Sequence, residues 1–170
     1  MATSQQNRPS VKLTGLPNRR LFFEVLQRMI LEHERDQNKF MLLFIDLDGF
    51  KEINDQYGHE AEDEVLVTVA NRLSDDVRKS DTVARMGGDE FTIILRNTED
   101  KQAVTDLIQK IHRNIQEVMH IKGNACYVNS SIGVTTYPEN GTDSETLLRN
   151  ADSAMYEVKR NGKGGYDFFQ

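Results

Sequence analysis

Two adjacent glycines between apolar segments predict a β-hairpin, and this hairpin restricts the possible fold more than any other feature. Gly87 and Gly88 follow one apolar strand and precede a second, Phe91–Leu95. Glycine has no Cβ, so it adopts the positive φ angles of a tight turn and lets a ligand approach the backbone. Asp89 and Glu90 lie at the tip, where a shared cation offsets their repulsion. Taken alone, the segment also fits a simple surface turn.

A second pair of acids follows a long apolar segment upstream. The unbroken apolar run Phe40–Ile45 predicts a strand that is buried on both faces at the centre of a sheet. Asp46 and Asp48 come at its carboxyl end, where open α/β sheets bind ligands. Together with the hairpin acids, they suit Mg²⁺ and phosphate oxygens. The alternative is that these aspartates begin a turn or cap the next helix.

The segment between the two acidic clusters offers groups that suit a nucleotide. Lys51 can pair with phosphate as a point charge. Asn54 and Asp63 can read a purine edge, because an amide donates and accepts and a carboxylate accepts from ring N–H groups. The alternatives are a solvated lysine, a turn at Asn54-Asp55 and an acid in the first turn of a helix.

Several motifs together resemble the GGDEF family of diguanylate cyclase domains. They occur in family order from about Leu13 to the end of the chain: Leu13–Arg20, Asp46–Asp55, Gly58-His59 with Asp63, Arg85–Phe91, Ser131–Val134 and Ala151–Lys159. The resemblance implies that two such domains face each other, each with one GTP and a divalent metal. Each 3′-hydroxyl attacks the other α-phosphate, which yields cyclic di-GMP and two pyrophosphates. Mg²⁺ is the expected metal, and Mn²⁺ also suits oxygen ligands.

The resemblance implies a metal and reaction centre at the two acidic clusters. Asp46, Asp89 and the Leu47 carbonyl would bind the metal, and Glu90 would act either as a base or as a second ligand. Gly87 and Gly88 would let the hairpin pass under the α-phosphate and ribose.

The resemblance also implies the GTP contacts. Asn54 and Asp63 would contact guanine, and three lysines would hold the phosphates: Lys51, Lys159 and Lys163. Asp48 is either part of the site or a solvated or capping acid. His59 is given a structural role, since no acid–base step requires it.

A further motif, Arg78 with Asp81, resembles the Arg-x-x-Asp inhibitory site of the family. The resemblance implies that the cyclic di-GMP product binds there and holds the domain in an unproductive arrangement. Arginine suits this role because its planar guanidinium forms bidentate hydrogen bonds and stacks. The alternative is a surface pair that follows a helix.

Three positions depart from the family pattern. Glu62 stands where glycine is usual before the guanine-reading aspartate, which adds a Cβ and a charge near the base. Lys163 replaces an arginine, and Val11 replaces an aspartate of the N-terminal segment. None of these changes removes a metal ligand.

Length and composition fit one globular domain. The chain has 170 residues with 38% hydrophobic and 28% charged residues. Its net charge of −6 argues against nonspecific nucleic-acid binding. Cys126 is the single cysteine, and we interpret it as a strand residue in a reducing cytoplasm. We expect no membrane contact by this domain, whether it acts as a free cytoplasmic protein or as the cytoplasmic part of a membrane-anchored one.

Hydrophobic periodicity predicts an α/β (α+β) fold of ferredoxin-like or nucleotidyl-cyclase type, with a central mixed sheet, flanking helices and the inserted hairpin. The predicted helices run from Pro17 to about Arg35, from 61 to 76, from Val104 to Val118 and from Leu147 to Val158. The predicted strands, apart from the hairpin, are 40–47, 127–137 and 166–169. We expect residues 1–10 to be a disordered or expression-derived tail. Residues 11–170 would form one domain, excised from a protein with sensory or phosphodiesterase modules.

Overall fold

A central strand with two apolar faces organises the structure, a computed structural model that describes residues 13–170. The expected tail and Val11 lie outside the described residues. The helices are α1 Arg19–Asp36, α2 Phe50–Tyr57, α3 His59–Asp76, α4 Lys101–Gln116 and α5 Ser144–Arg160. The strands are β1 Phe40–Asp48, β2 Thr82–Gly87, β3 Glu90–Leu95, β4 Met119–Ile121, β5 Asn124–Cys126, β6 Asn129–Tyr137 and β7 Gly165–Phe168.

The main sheet has five strands in the order β2-β3-β1-β6-β7. Strand β1 is antiparallel to β3 and β6 on its two sides, and β7 runs parallel to β6. Strands β4 and β5 form a separate two-stranded sheet. This mixed sheet with flanking helices confirms the predicted α/β architecture of nucleotidyl-cyclase type.

Strand β1 separates two hydrophobic clusters, which explains its unbroken apolar run. Met41, Leu43 and Ile45 face one cluster, which includes the buried sides of α3 and α4. Alternate residues, such as Leu42 and Phe44, face the other cluster with α1 and α5. Because side chains alternate along a strand, both faces of β1 must be apolar when helices cover both sides of the sheet.

Helix α5 approaches β6 so closely that a side chain would not fit between them. A Cβ on Gly133 would lie 2.0 Å from the Ala151 carbonyl oxygen and 2.3 Å from the Met155 nitrogen. Glycine at this position therefore allows the helix that carries Lys159 to pack directly on the sheet.

The observed elements differ from the predicted ones mainly where they are short. Helix α2 replaces the turn considered at Asn54-Asp55, and Gly58, with φ of +91°, separates it from α3. The hairpin of β4 and β5 was not predicted, although Cys126 does lie in a strand and is buried. The predicted strand start at Tyr127 is wrong, because this side chain is 66% exposed and β6 begins at Asn129.

The predicted helix end at Val118 is also wrong. Helix α4 stops at Gln116, and the Arg72 guanidinium from α3 donates to the carbonyl oxygens of Asn114, Glu117 and Val118. These hydrogen bonds satisfy carbonyl groups that a helix end leaves without an intrahelical partner. No helix in the described range is long and apolar enough to span a membrane.

Candidate active site

Four carboxylates meet where β1 and the hairpin end, and we call them the acidic edge: Asp46, Asp48, Asp89 and Glu90. The β1–β3 register places Asp46 opposite Glu90. The Leu47 N–H donates to the Asp89 carbonyl oxygen at 3.1 Å, which extends the pairing to the hairpin tip. The structure thus brings together the two acidic clusters that lie far apart in the sequence.

The hairpin tip is open in the way its glycines predict. Gly87 and Gly88 have φ of +148° and +51°, and a Cβ on either would meet no heavy atom within 4 Å. The guanidinium of Arg85 donates to the Gly88 carbonyl oxygen from Nε at 3.1 Å and from Nη2 at 2.9 Å. The tip therefore has a fixed backbone with open space around both glycines.

The hairpin carboxyl groups hold their protons unusually tightly. Burial and the nearby charge of Asp46 raise the pKa of Asp89 to about 6. Burial, together with Asp46 and Asp152, also raises the pKa of Glu90. Repulsion between carboxylates of this kind is what an added cation would relieve.

Lys159 forms ion pairs with the acidic edge. Its Nζ lies 2.5 Å from Asp46 Oδ2 and 3.3 Å from Asp48 Oδ1. Burial opposes its charge, but the hydrogen bond and charge of Asp46, with Asp48, leave the pKa of Lys159 raised. The lysine predicted to hold phosphate therefore neutralises carboxylates in this structure.

The predicted metal ligands fit a divalent cation that binds few protein groups. Asp46 Oδ1 is buried and has no hydrogen-bond partner, while Asp89 lies within interaction distance of the same carboxylate. Between residues 13 and 170, no group of three or more His, Cys, Asp or Glu side chains forms a ready metal cage. Two carboxylates and a carbonyl suit Mg²⁺, which keeps waters and substrate phosphate in its other positions.

Asp48 is neither a solvated acid nor a helix cap. It is only 8% exposed, and its Oδ2 accepts a hydrogen bond from Ser131 Oγ at 2.8 Å. Gly49 is the N-cap of α2, and no side chain caps that helix end. Both alternatives considered for Asp48 are therefore wrong, because the carboxylate points into a buried polar network beside the site.

The residues predicted to contact guanine lie on two consecutive helices. Asn54 is half-buried on α2, and Asp63 is exposed near the start of α3. The Gly58 N–H donates to the Asn54 carbonyl oxygen at 2.8 Å, which fixes the junction between these helices. Glu62 has a helical backbone, and its carboxylate lies 3.2 Å from Nδ1 of the exposed His59.

Two of the predicted phosphate-binding lysines are exposed. Lys51 lies in the first turn of α2, and Lys163 lies in the turn after α5 with φ of +63°. Both differ from the half-buried Lys159, which the acidic edge already holds.

Arg78 and Asp81 form a closely bonded pair at the start of β2. Asp81 accepts from the Arg78 backbone N–H at 3.0 Å, from its Nε at 3.2 Å and Nη2 at 3.1 Å, and from the Arg96 N–H at 3.1 Å. The Asp81 side chain is 2% exposed and that of Arg78 is 58% exposed. A cavity of about 360 Å³ borders the pair and is lined by Leu95 and Thr98, among others.

Sequence reasoning did not foresee a second cavity beside Glu90. It measures about 450 Å³ and is lined by Arg19 and Phe23 of α1 and by Arg149 and Asp152 of α5, among others. Arg19 and Asp152 belong to sequence motifs of the domain, but spacing along the chain does not show that α1 and α5 meet at the hairpin.

Comparisons with known proteins agree with this architecture. The chain matches the family described as diguanylate cyclase, GGDEF domain, over residues 12–165, and it belongs to that family. It is 42% identical over 158 residues to the bifunctional diguanylate cyclase/cyclic di-GMP phosphodiesterase MucR of Pseudomonas aeruginosa, covering 93% of this chain and 23% of MucR. It is 39% identical over 158 residues to the cyclic di-GMP phosphodiesterase NbdA of the same organism, covering 92% of this chain and 20% of NbdA.

A solved structure has nearly the same fold. The isolated GGDEF domain of TpbB from Pseudomonas aeruginosa superposes with a TM-score of 0.91 at 36% identity, covering 95% of this chain and 94% of that one. The chain spans about a fifth to a quarter of the length of MucR and NbdA. These two relatives therefore contain further segments beyond the part that matches.

Proposed function

We propose that this domain is a diguanylate cyclase that condenses two GTP molecules into cyclic di-GMP with release of two pyrophosphates. The observation that carries the proposal is the convergence of Asp46, Asp89 and Glu90 beneath an open Gly87-Gly88 tip. Nucleotidyl transfer depends mainly on positioning and on neutralising phosphate charge. A dense group of carboxylates beside an uncovered backbone supplies a metal site and room for the α-phosphate.

In this mechanism Asp46, Asp89 and the Leu47 carbonyl would hold Mg²⁺ or Mn²⁺. When bound, such a metal polarises the phosphate and lowers the pKa of the attacking hydroxyl. Glu90 lies beside this centre with a raised pKa, so it is suited to accept the proton of the 3′-hydroxyl or to act as a second ligand.

The nucleotide would extend from the acidic edge to α2 and α3. Asn54 and Asp63 would hydrogen-bond guanine, while Lys51 and Lys163 would hold the terminal phosphates. Lys159 would exchange its carboxylate partners for phosphate oxygens as metal and nucleotide enter. Its half-buried position at the acidic edge supports this role.

Turnover would need a homodimer, because each domain supplies one GTP and receives the attack of the other. We further propose that the domain works in the cytoplasm, within a multidomain protein that carries sensory or phosphodiesterase modules. The limited coverage of MucR and NbdA supports this organisation. Cyclic di-GMP would inhibit the enzyme at Arg78 and Asp81, where an exposed guanidinium borders a cavity.

A second candidate is a regulatory module that binds GTP or cyclic di-GMP and controls an attached domain without turnover. Two sequence departures favour it. Glu62 lies beside the predicted guanine contact, and Lys163 replaces an arginine whose guanidinium could form two hydrogen bonds with phosphate. The relative NbdA, at 39% identity, is named only as a phosphodiesterase.

Product analysis separates the two candidates. The domain is incubated at high concentration with GTP and Mg²⁺, and the nucleotides are separated and identified by mass. Cyclic di-GMP and pyrophosphate should form with the parent and not with Asp89→Ala, which should keep its fold. Asp75→Ala, an exposed acid on α3, is the matched control and should retain full activity.

Two outcomes would reject the cyclase assignment. One is an unchanged product yield in Asp89→Ala, which would show that the hairpin takes no part in the reaction. The other is an absence of product even after fusion to a dimerising module. GTP binding without turnover in that fusion would favour the regulatory module.

A further inference from the structure

Ser131 lies at the centre of a buried polar network next to the acidic edge. It stands on β6 directly opposite Asp46 in the β1–β6 register, and it is completely buried. Its Oγ donates to Asp48 Oδ2 at 2.8 Å and accepts from the Gly164 N–H at 3.2 Å. One hydroxyl therefore connects the central strand to the turn that follows α5.

Each hydrogen-bond partner of the Ser131 hydroxyl is next to a lysine, one in space and the other in the chain. Asp48 Oδ1 lies 3.3 Å from Lys159 Nζ. Gly164 directly follows Lys163 in a turn where both residues have positive φ, +72° and +63°. A Cβ on Gly164 would lie 2.4 Å from Asn129 Nδ2, so this turn packs tightly against the beginning of β6.

We propose that Ser131 is a positioning residue that directs two cationic side chains toward the triphosphate of a bound nucleotide. It orients Lys159 through the Asp48 carboxylate and fixes the Lys163 turn through the Gly164 amide. The inference rests on the proposed function, since it assumes that the acidic edge binds a nucleoside triphosphate.

Removal of the hydroxyl has a specific local consequence. The buried Asp48 Oδ2 and the partly buried Gly164 N–H lose a shared partner, and unpaired polar groups are costly where water is excluded. The two groups must then shift to find other partners, and the lysines shift with them. Asn54 and Asp63 lie on α2 and α3, outside this network, so base recognition should not change.

Ser130 provides a matched control on the same strand. It is also completely buried, but its Oγ lies 2.9 Å from His112 Nδ1 on α4, and it shares no hydrogen bond with Asp48, whose charge reaches His112 only through space. Ser130→Ala therefore removes the same chemical group from the neighbouring position without removing a hydrogen bond of the Ser131 network.

Binding is measured by calorimetry with a non-reactive GTP analogue plus Mg²⁺, and separately with GMP. Ser131→Ala should bind the triphosphate about tenfold more weakly than the parent and bind GMP equally well, since the lost hydrogen bonds involve a charged group. In turnover the same variant should raise KM more than it lowers kcat. Ser130→Ala should change neither affinity. An unchanged triphosphate affinity in Ser131→Ala, or an equal loss for GMP, would overturn the proposal.

A measurement without nucleotide distinguishes this proposal from the proposed function. Amide hydrogen exchange of Gly164, followed by NMR, should accelerate in Ser131→Ala and not in Ser130→Ala. Unchanged exchange would reject the network itself. Accelerated exchange in a protein whose parent form binds no GTP would instead reject the proposed function. If Ser131→Ala does not fold, Ser131→Cys replaces it, because a thiol is a weak donor of similar size.

Discussion

The acidic edge and the Arg78–Asp81 pair place carboxylates in opposite electrostatic situations. On the acidic edge, Asp46 Oδ1 is buried without a hydrogen-bond partner, and burial with the Asp46 charge raises the pKa of Asp89 to about 6. Asp81 instead receives four hydrogen bonds from Arg78 and from the Arg96 backbone. One region keeps carboxylates that repel each other, and the other holds its carboxylate with four hydrogen bonds.

This difference separates two motifs that look equally functional in the sequence. Buried charge without full compensation destabilises a fold, which is why the proposed metal site lies at the acidic edge. Asp81, in contrast, holds the loop before β2 in place. Arg78 also donates from Nη2 to the Arg96 carbonyl oxygen at 2.6 Å, so the fold itself orients its guanidinium.

The largest effect should come from Lys159→Met, which removes the cation paired with Asp46 and Asp48. Triphosphate affinity should fall on the order of 30-fold. The reason is that the variant loses the charged hydrogen bond between the half-buried Lys159 and a phosphate, and such a loss costs about 2 kcal/mol. Without nucleotide, Mg²⁺ alone should bind more tightly than it binds the parent, because no lysine competes for the carboxylates. Calorimetry measures both, with Lys122→Met, from an exposed ion pair, as control. An unchanged Mg²⁺ affinity would show that Lys159 does not compete with the metal.

Asp81→Ala should lower stability without affecting metal binding. The substitution leaves the partly buried Arg96 N–H without its partner, and we expect a loss of about 2 kcal/mol in the free energy of unfolding. Urea unfolding measures this loss, and Mg²⁺ titration of the variant should match that of the parent. Exposed Asp106→Ala is the control. Stability equal to that of the parent would mean that Asp81 has no structural role.

Asp89→Asn should do the reverse and stabilise the fold at neutral pH. The pKa of Asp89 is raised from 3.8 to about 6, so the folded state binds the proton more tightly than the unfolded chain. The stability contributed by the protonated group is present below pH 3.8 and disappears as the pH rises through about 6. At pH 7.5 we expect the variant to exceed the parent by about 1 kcal/mol, after allowance for screening of a half-exposed group.

Urea unfolding of parent and Asp89→Asn at pH 3.5 and pH 7.5 tests this pH dependence. The two proteins should be similar at the lower pH and differ at the higher one. Mg²⁺ should stabilise the parent at pH 7.5 far more than at pH 5, since the carboxyl must lose its proton to bind metal. A variant that is less stable than the parent at pH 7.5 would contradict the raised pKa.

The smallest effect should come from Arg78→Ala, which removes an exposed guanidinium. Cyclic di-GMP should bind about fivefold more weakly, because a solvent-exposed charged contact contributes roughly 1 kcal/mol. The initial rate of product formation should stay the same. Equilibrium binding of cyclic di-GMP measures the loss, with exposed Lys79→Ala as control. Binding as tight as that of the parent would exclude Arg78 from the inhibitory site.

The sequence predicted the elements whose signals are local and long. The apolar run of β1, the amphipathic stripes of the long helices and the Gly87-Gly88 turn each follow from the conformational preferences of neighbouring residues. It missed the β4–β5 hairpin, because its three-residue strands carry too few periods to show a pattern, and it missed α2, whose eight residues make only about two helical turns.

In the candidate site, too, the residues are predictable from the sequence but their contacts are not. The sequence by itself determined which carboxylates, glycines and lysines this protein has, and its motifs placed them in one family. Only the tertiary structure decided that Lys159 pairs with Asp46 and that Ser131 joins Asp48 to Gly164. The physical reason is that strand order and register set these distances, and both depend on packing between segments that lie far apart in the chain.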